Sequence, residues 1–306
     1  MLFTNNDTLK KLKNIIPKNI NNQTVPTDIL VIIDEYIPKL NDTNIHQVVN
    51  DYLSEDENLK QQVINNYGLI NDWDVSQVTN MNGLFSGINH FNENISDWDV
   101  SNVTTMRSMF NGATAFNQPI DNWDVSNVRN MEHMFVEAKS FNQPLNNWNV
   151  SNVRSMEYMF VEAKSFNQPL DNWDVSNVTD INRIFDDAEL FNQPLNNWDV
   201  SNVEDMSGMF SHAYNFNQPL NNWDVSNVED MESMFDGAKS FNQPLNNWNI
   251  SNVTRMNYMF CKARSFNQPL NNWNVSNVTE MYRTFYMTRN FNIQENAPWY
   301  DDSSDY

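Results

Sequence analysis

A single cysteine, Cys261, stands in 306 residues, so no disulfide framework holds this chain together. A lone thiol suits a reducing compartment. Glycine is scarce as well, at six residues, and neither a G-x-x-x-x-G-K-[ST] loop nor a G-x-G-x-x-G turn occurs, so the chain has no backbone cradle for a phosphate. Basic residues are outnumbered, 18 Lys and Arg against 39 Asp and Glu. The resulting formal charge of -21 repels phosphate backbones and anionic lipid surfaces, which argues against a nucleic-acid partner. No apolar run approaches the roughly 20 residues that span a bilayer, so no membrane insertion is expected. The opening MLFTNNDTLKKLKNIIPKNI has charges inside every apolar patch and lacks the uninterrupted core of a secretory signal.

What the chain has is a repeat. Trp73, Trp98, Trp123, Trp148, Trp173, Trp198, Trp223, Trp248 and Trp273 recur every 25 residues and define nine units. One unit reads FNQPLNNWNVSNVRSMEYMFVEAKS, from Phe141 to Ser165, and the stretch Met131 to Val153 is nearly copied by Met156 to Val178. Leu145, Trp148 and Val150 follow L-x-x-L-x-L spacing, with Trp148 and Val150 alternating as in a short strand. Met156, Met159, Phe160 and Ala163 lie at i, i+3, i+4 and i+7, one face of about two helical turns. The expected fold is therefore an α/β repeat solenoid, a leucine-rich-repeat-like stack of one short strand plus one short helix per unit. The nine Trp residues belong to its continuous core. Residues 1–66 lack Trp, and the spacing of Ile29, Ile32, Ile33, Tyr36 and Ile37 favours helices, so this region is read as a helical N-terminal cap. Residues 67–291 form the repeat array, whose last unit, with Thr284 and Thr288 in place of Met and Ala, is expected to act as a cap. Residues 292–306 read as an acidic tail, disordered beyond Trp299.

The WDVSNV-x-x-M-x-x-MF-x-x-A-x-x-FNQPL signature resembles the BspA-like leucine-rich repeat family, related to mycoplasma-lipoprotein-type repeats, over about three quarters of the chain. That resemblance implies a solenoid serving adhesion or protein recognition without enzymatic activity. It also implies core roles for Trp148, Val150, Val153, Met156, Phe160, Ala163 and Phe166. The chain departs from the usual leucine-rich pattern by placing Val153 where Asn or Cys is expected, so the Asn152 column or the Asn142 column is the candidate side-chain ladder. Surface members of the family carry secretion signals or lipid anchors, and neither is seen here. An Asn- and Ile-rich, Gly-poor composition resembles proteins of AT-rich genomes, including large DNA viruses of protists. The expected location is the host cytoplasm or a virion. A second resemblance covers VPTDILVIIDEYIPKL, Val25 to Leu40, which is similar to the opening of an F-box. It implies an adaptor bound to a ubiquitin-ligase scaffold, while an amphipathic helix capping the array is the other reading of the same residues.

No catalytic set emerges. The histidines His46, His90, His133 and His212 share no repeat position, so no metal site is expected, and no cofactor is implied. Cys261 occupies a position where other units carry Asn, Val, Asp or Ser and reads as a surface substitution. After each Trp runs an acidic column, Asp74, Asp99, Asp124, Asp174, Asp199 and Asp224, with Asn149, Asn249 and Asn274 completing it. Adjacent carboxylates at strand spacing repel, and a cation, hydrogen bonds from neighbouring Asn columns or solvation would each relieve them. The N-x-[ST] triplets follow from the repeat and are expected to stay unmodified. Binding is better sought where units differ. Those positions cluster around the expected helix and include Arg129, His133, Arg154, Tyr158, Arg183, Tyr214, Arg255, Tyr258 and Tyr282, residue types favoured at binding hot spots. Leucine-rich analogy would instead use the strand face, where Asn147 and Asn149 are nearly uniform. The expected function is recognition of an unknown protein partner without enzymatic activity; the ubiquitin-ligase adaptor and a structural or adhesive surface or virion protein are the alternatives.

Overall fold

The computed structural model describes residues 39–301, together with Asn19–Ile20 and Gln23–Thr24. Those two short pieces, β1 and β2, pair antiparallel. The segment similar to an F-box lies outside the described residues apart from Lys39 and Leu40. Helix α1 spans Ile45–Tyr52 and buries Ile45, Val48, Val49 and Tyr52 at i, i+3, i+4 and i+7. Helix α2 spans Glu57–Tyr67; Asp56 caps it by accepting from Asn58 N, and Gly68 at φ 82 ends it.

From Trp73 onward the 25-residue units stack, but each is built otherwise than the alternation of strand and helix implies. From Trp73 to Phe291 no unit contains a strand or a helix; a single 3-10 turn, Ile70–Asp72, leads into the first tryptophan. Regular parallel pairing is confined to one bridged residue per unit, in the file Asn80, Thr105, Asn130, Ser155, Asp180, Asp205, Asp230, Arg255 and Glu280. The strand expected at Trp148–Val150 is interrupted by turns on both sides, since Trp148 N donates to Leu145 O at 3.0 Å and Val153 N to Val150 O at 2.8 Å. Trp148 and Val150 do both point inward, which is why their spacing imitates a strand.

The expected helix is replaced by a chain of tight turns. Met159, Val161 and Ala163 donate back three residues, to Met156, Tyr158 and Phe160. The alternate groups leave the unit: Tyr158 N, Phe160 N and Glu162 N donate to Asn182 O, Ile184 O and Asp186 O of the next one, each at 2.9 Å. An α-helix keeps all such bonds within itself, whereas here half of them join neighbours. Two residues per unit hold left-handed backbone, Tyr158 at φ 58 and Glu162 at φ 54 in this one, and each breaks a helix where it stands. Met156, Met159, Phe160 and Ala163 still face inward, so successive turns reproduce helical spacing without a helix.

The core is a set of aromatic files. Phe135 and Phe160 lie 5.4 Å apart, Phe141 and Phe166 6.0 Å, and Trp148 and Trp173 6.5 Å with rings 1° from parallel. Burying each file removes large apolar surface from water, and such ring pairs add about 0.5–1.5 kcal/mol each. The indoles also do polar work: Trp173 Nε1 donates to Leu145 O at 2.9 Å, and the equivalent bond recurs up the stack. Both candidate Asn columns act as ladders. Asn152 Nδ2 donates to Ser126 O at 2.7 Å, while Asn142 Oδ1 accepts from Asn167 N and from Gln168 Nε2.

The ends are closed differently. Leu40 N donates to Asp74 O, and Asp42 accepts from Thr79 N, Thr79 Oγ1 and Asn80 N, so residues 40–42 take the place of a preceding unit. In the last unit Thr284 Oγ1 and Thr288 Oγ1 donate to Met256 O and Phe260 O, giving these buried hydroxyls partners. Over the span read as an acidic tail, helix α3, Ile293–Asn296, is followed by Trp299, which stacks on Trp273 at 6.1 Å, and by Tyr300, buried edge-on against Phe285. No helix among the described residues is long and apolar enough to cross a membrane.

Candidate recognition face

Positions shared by the units are accounted for by core and ladder. The acidic column is an example. Asp174 Oδ1 accepts from Ser176 N and Ser176 Oγ at 3.1 and 2.6 Å, a turn closed within each unit. Asn149 Oδ1 accepts the same pair of bonds from Ser151, which explains why Asn can replace Asp there. The Ser126 and Ser226 hydrogen bonds hold the Asp124 and Asp224 carboxyls below the usual carboxylate range. Each carboxylate is thus engaged by its own serine.

The variable positions lie on the turn ladder. His133, Tyr158, Arg183 and Tyr258 all occupy the first left-handed position of their units, at φ 52 to 58, where Gly83 and Gly208 stand in others. Glycine is the residue that takes this backbone without cost, and an L side chain gives up about 1–2 kcal/mol there. Four large side chains are nonetheless held at it. They lean along the stack: His133 lies on Tyr158 at 4.8 Å and 9° between planes, and Tyr258 meets Tyr282 edge-on at 5.6 Å. Arg183 extends over Gly208, where a Cβ would stand 2.7 Å from its Cγ.

The remaining candidates are spread along the same ladder rather than gathered at one point. Arg129 and Arg154 are exposed neighbours joined by Arg154 N to Arg129 O at 3.0 Å. The Arg255 guanidinium pairs with the buried Asp230 carboxylate. Lys239 Nζ sits 3.4 Å from the Tyr214 ring centre. Ion pairs between units run beside them, Arg107 with Glu132 at 3.2 Å and Lys164 with Glu189 at 2.7 Å.

Two features of the face escape a reading of single units. Cys261 is buried, not on the surface, and burial pushes its thiol up to about 12, which leaves it inert as a nucleophile at neutral pH. His212 lies beside Asp186 and Asp187 of the preceding unit, with one donor atom from each of the three within 4.8 Å. The signal was an offset of 25 residues between Asp187 and His212 in one column. Asp186 also takes the Arg183 guanidinium at 3.0 Å, so a cation already neutralises the group whose oxygen a metal would need. The Asp186 carboxylate, 3.9 Å from His212 Nδ1, raises the imidazole above its ordinary range against the opposing effect of burial. His133 goes the other way, lowered by burial and then by Arg107.

The chain matches a known repeat family at three overlapping stretches, residues 53–173, 145–237 and 217–303, and no curated protein matches it. These matches run from α2 to the end of the described stack, and mycoplasma-type repeats are what the 25-residue signature resembles. The chain belongs to the family described as Mycoplasma protein of unknown function, DUF285.

Proposed function

We propose that the protein is a non-enzymatic recognition module whose partner, another protein, meets the turn-ladder face. The observation that carries this reading is the filling of the left-handed positions. A backbone that glycine would adopt freely instead carries His133, Tyr158, Arg183 and Tyr258, and side chains kept at a conformational cost point to a use outside the fold. Tyr and Arg are the residue types that dominate interface energetics, and they differ from unit to unit while the core files do not. The BspA-like resemblance supports the same role, since a recognition or adhesive function is what it implies. In such a module the stack supplies a rigid frame and the variable columns supply specificity.

Glycine substitution tests this cleanly. A variant with His133→Gly, Tyr158→Gly, Arg183→Gly and Tyr258→Gly relieves backbone cost and keeps the core, so its melting temperature stays within a few degrees of wild type. In affinity capture from the native host with full-length baits, the wild type is expected to retain a specific protein that the glycine variant loses. Equal retention by both baits removes the ladder face as the binding surface. A catalytic turnover abolished by a single substitution contradicts the non-enzymatic reading.

A further inference from the structure

Cations on the turn ladder serve the unit next to their own. Arg107 pairs with Glu132 at 3.2 Å, Lys164 with Glu189 at 2.7 Å and Arg255 with Asp230, and Lys239 Nζ lies over the Tyr214 ring, all at an offset of 25 residues. In the middle of the array this supply stops. The bridged file there runs Asp180, Asp205, Asp230, and the exposed column beside it carries Glu204 and Glu229. Glu157 stands just before them. Arg107 on Glu132 and Arg255 on Asp230 mark the two ends of the run. Between those ends Glu157, Asp180, Glu204, Asp205 and Glu229 pair with no cation among the described residues, although Arg129 and Arg154 share the column of Glu204 and Glu229.

The fold does not call for these charges. Asp180 and Asp205 each close a turn, accepting from Asn182 N at 2.9 Å and from Ser207 N at 2.7 Å. Asn130 closes the same turn two units earlier without a charge, accepting from Glu132 N at 3.0 Å. Glu204 and Glu229 stand where other units carry Thr or Arg. The carboxylates also oppose one another. Burial raises the Asp180 carboxyl above the usual range, and Asp205 and Glu132 push it further; Glu157 is raised by burial and then by Asp180, Glu132 and Asp205. Half-buried like charges that serve no turn and meet no counter-charge are arranged for a cation from outside the chain.

We propose that the recognition face takes a cationic segment of its protein partner, an extended stretch with arginine or lysine at alternate positions, laid along the stack from Glu157 to Glu229. The inference rests on the turn-ladder face being the recognition surface and adds the chemistry of what that surface recognises. Guanidinium or ammonium groups give each carboxylate of the run the counter-charge that no neighbouring unit provides. Rungs about 4.8 Å apart make the run roughly 15 Å long, and alternate side chains of an extended chain, about 6.6 Å apart, set three cations along it.

Fluorescence anisotropy of a labelled Arg-Ser-Arg-Ser-Arg peptide, titrated with the full chain at about 0.15 M salt, reads this directly, since screening beyond about 8 Å suppresses diffuse attraction to the overall charge. The same peptide with citrulline for arginine is expected not to bind. Two proteins of equal net charge separate the run from the rest of the acidic surface. One carries Glu157→Gln, Asp180→Asn, Glu204→Gln, Asp205→Asn and Glu229→Gln; the other carries Asp99→Asn, Asp124→Asn, Asp174→Asn, Asp199→Asn and Asp224→Asn, a position that Asn fills in other units. The first is expected to weaken binding about tenfold or more and the second by less than about twofold. Should the first variant unfold, Glu204→Arg with Glu229→Arg repeats what Arg129 and Arg154 already are in their units and is expected to abolish binding. A wild type that binds no peptide, a variant of the run that binds like wild type, or equal losses in the two five-residue variants overturns the proposal. In affinity capture from the native host, a partner lost by the glycine variant but kept by the Glu204→Arg, Glu229→Arg protein leaves the face as the recognition surface and removes the cationic occupant.

Discussion

At the scale of single residues, the unit uses short polar side chains to close turns and large ones to fill files. Asp174 closes its turn on Ser176, and Asn149 does the same at the equivalent place. Asp174→Asn is therefore expected to leave stability unchanged in urea unfolding, and Asp174→Ala to cost about 1 kcal/mol, the usual value of such a bond. A loss on the Asn substitution as large as on Ala would show that charge, not the turn, matters there. The two histidines of the turn ladder provide a second check. His212, raised by Asp186, contributes stability that is present below the ordinary imidazole pKa of about 6.5 and is lost as pH rises through its raised value. His133, lowered by burial, contributes stability that is present above that value and is lost as pH falls through its lowered one. An NMR titration should find His212 titrating at higher pH than His133; the reverse order contradicts the placements of these rings.

At the scale of the unit, the period and the inward columns were legible because tryptophan, phenylalanine and methionine are costly to expose and recur at fixed spacing. The backbone between them was not legible. A run of tight turns brings residues i, i+3, i+4 and i+7 inward as a helix does, so Met156, Met159, Phe160 and Ala163 fit both. Glycine marks the left-handed positions in other units, at Gly83, Gly87, Gly112, Gly208 and Gly237, but the unit whose spacing suggests a helix has Tyr158 and Glu162 there. The Asp186, Asp187 and His212 group stayed hidden for a related reason: its members belong to different units and meet only when a column is followed across the repeat. Because each unit bonds chiefly to its two neighbours, one whole unit is removable. Deleting Phe141 to Ser165 joins a near-identical surface to the one left behind, and the shortened protein is expected to unfold cooperatively with a melting temperature only a few degrees lower. Deleting half a unit, Phe141 to Asn152, puts turn against core and should abolish the cooperative transition. Equal effects of the two deletions would contradict the stacking of units as interchangeable rungs.

At the scale of the whole molecule, a charge of -21 sits on a stack whose residues meet mostly their neighbours, so like charges lie spread along its length. Moderate salt is expected to raise the melting temperature by screening that repulsion, measured at neutral pH by scanning calorimetry. A melting temperature that falls with salt would mean that the ion pairs between units, such as Lys164 with Glu189, outweigh the repulsion. The recognition face depends on a ladder that passes from unit to unit. The direct test is the coupling transmitted across hydrogen bonds in NMR, read from the Phe160 amide nitrogen. A coupling to the carbonyl carbon of Ile184, in the next unit, is the result expected of stacked turns, whose Phe160 N to Ile184 O distance is 2.9 Å. A coupling to the carbonyl carbon of Met156 instead would restore a helix inside each unit and contradict the account.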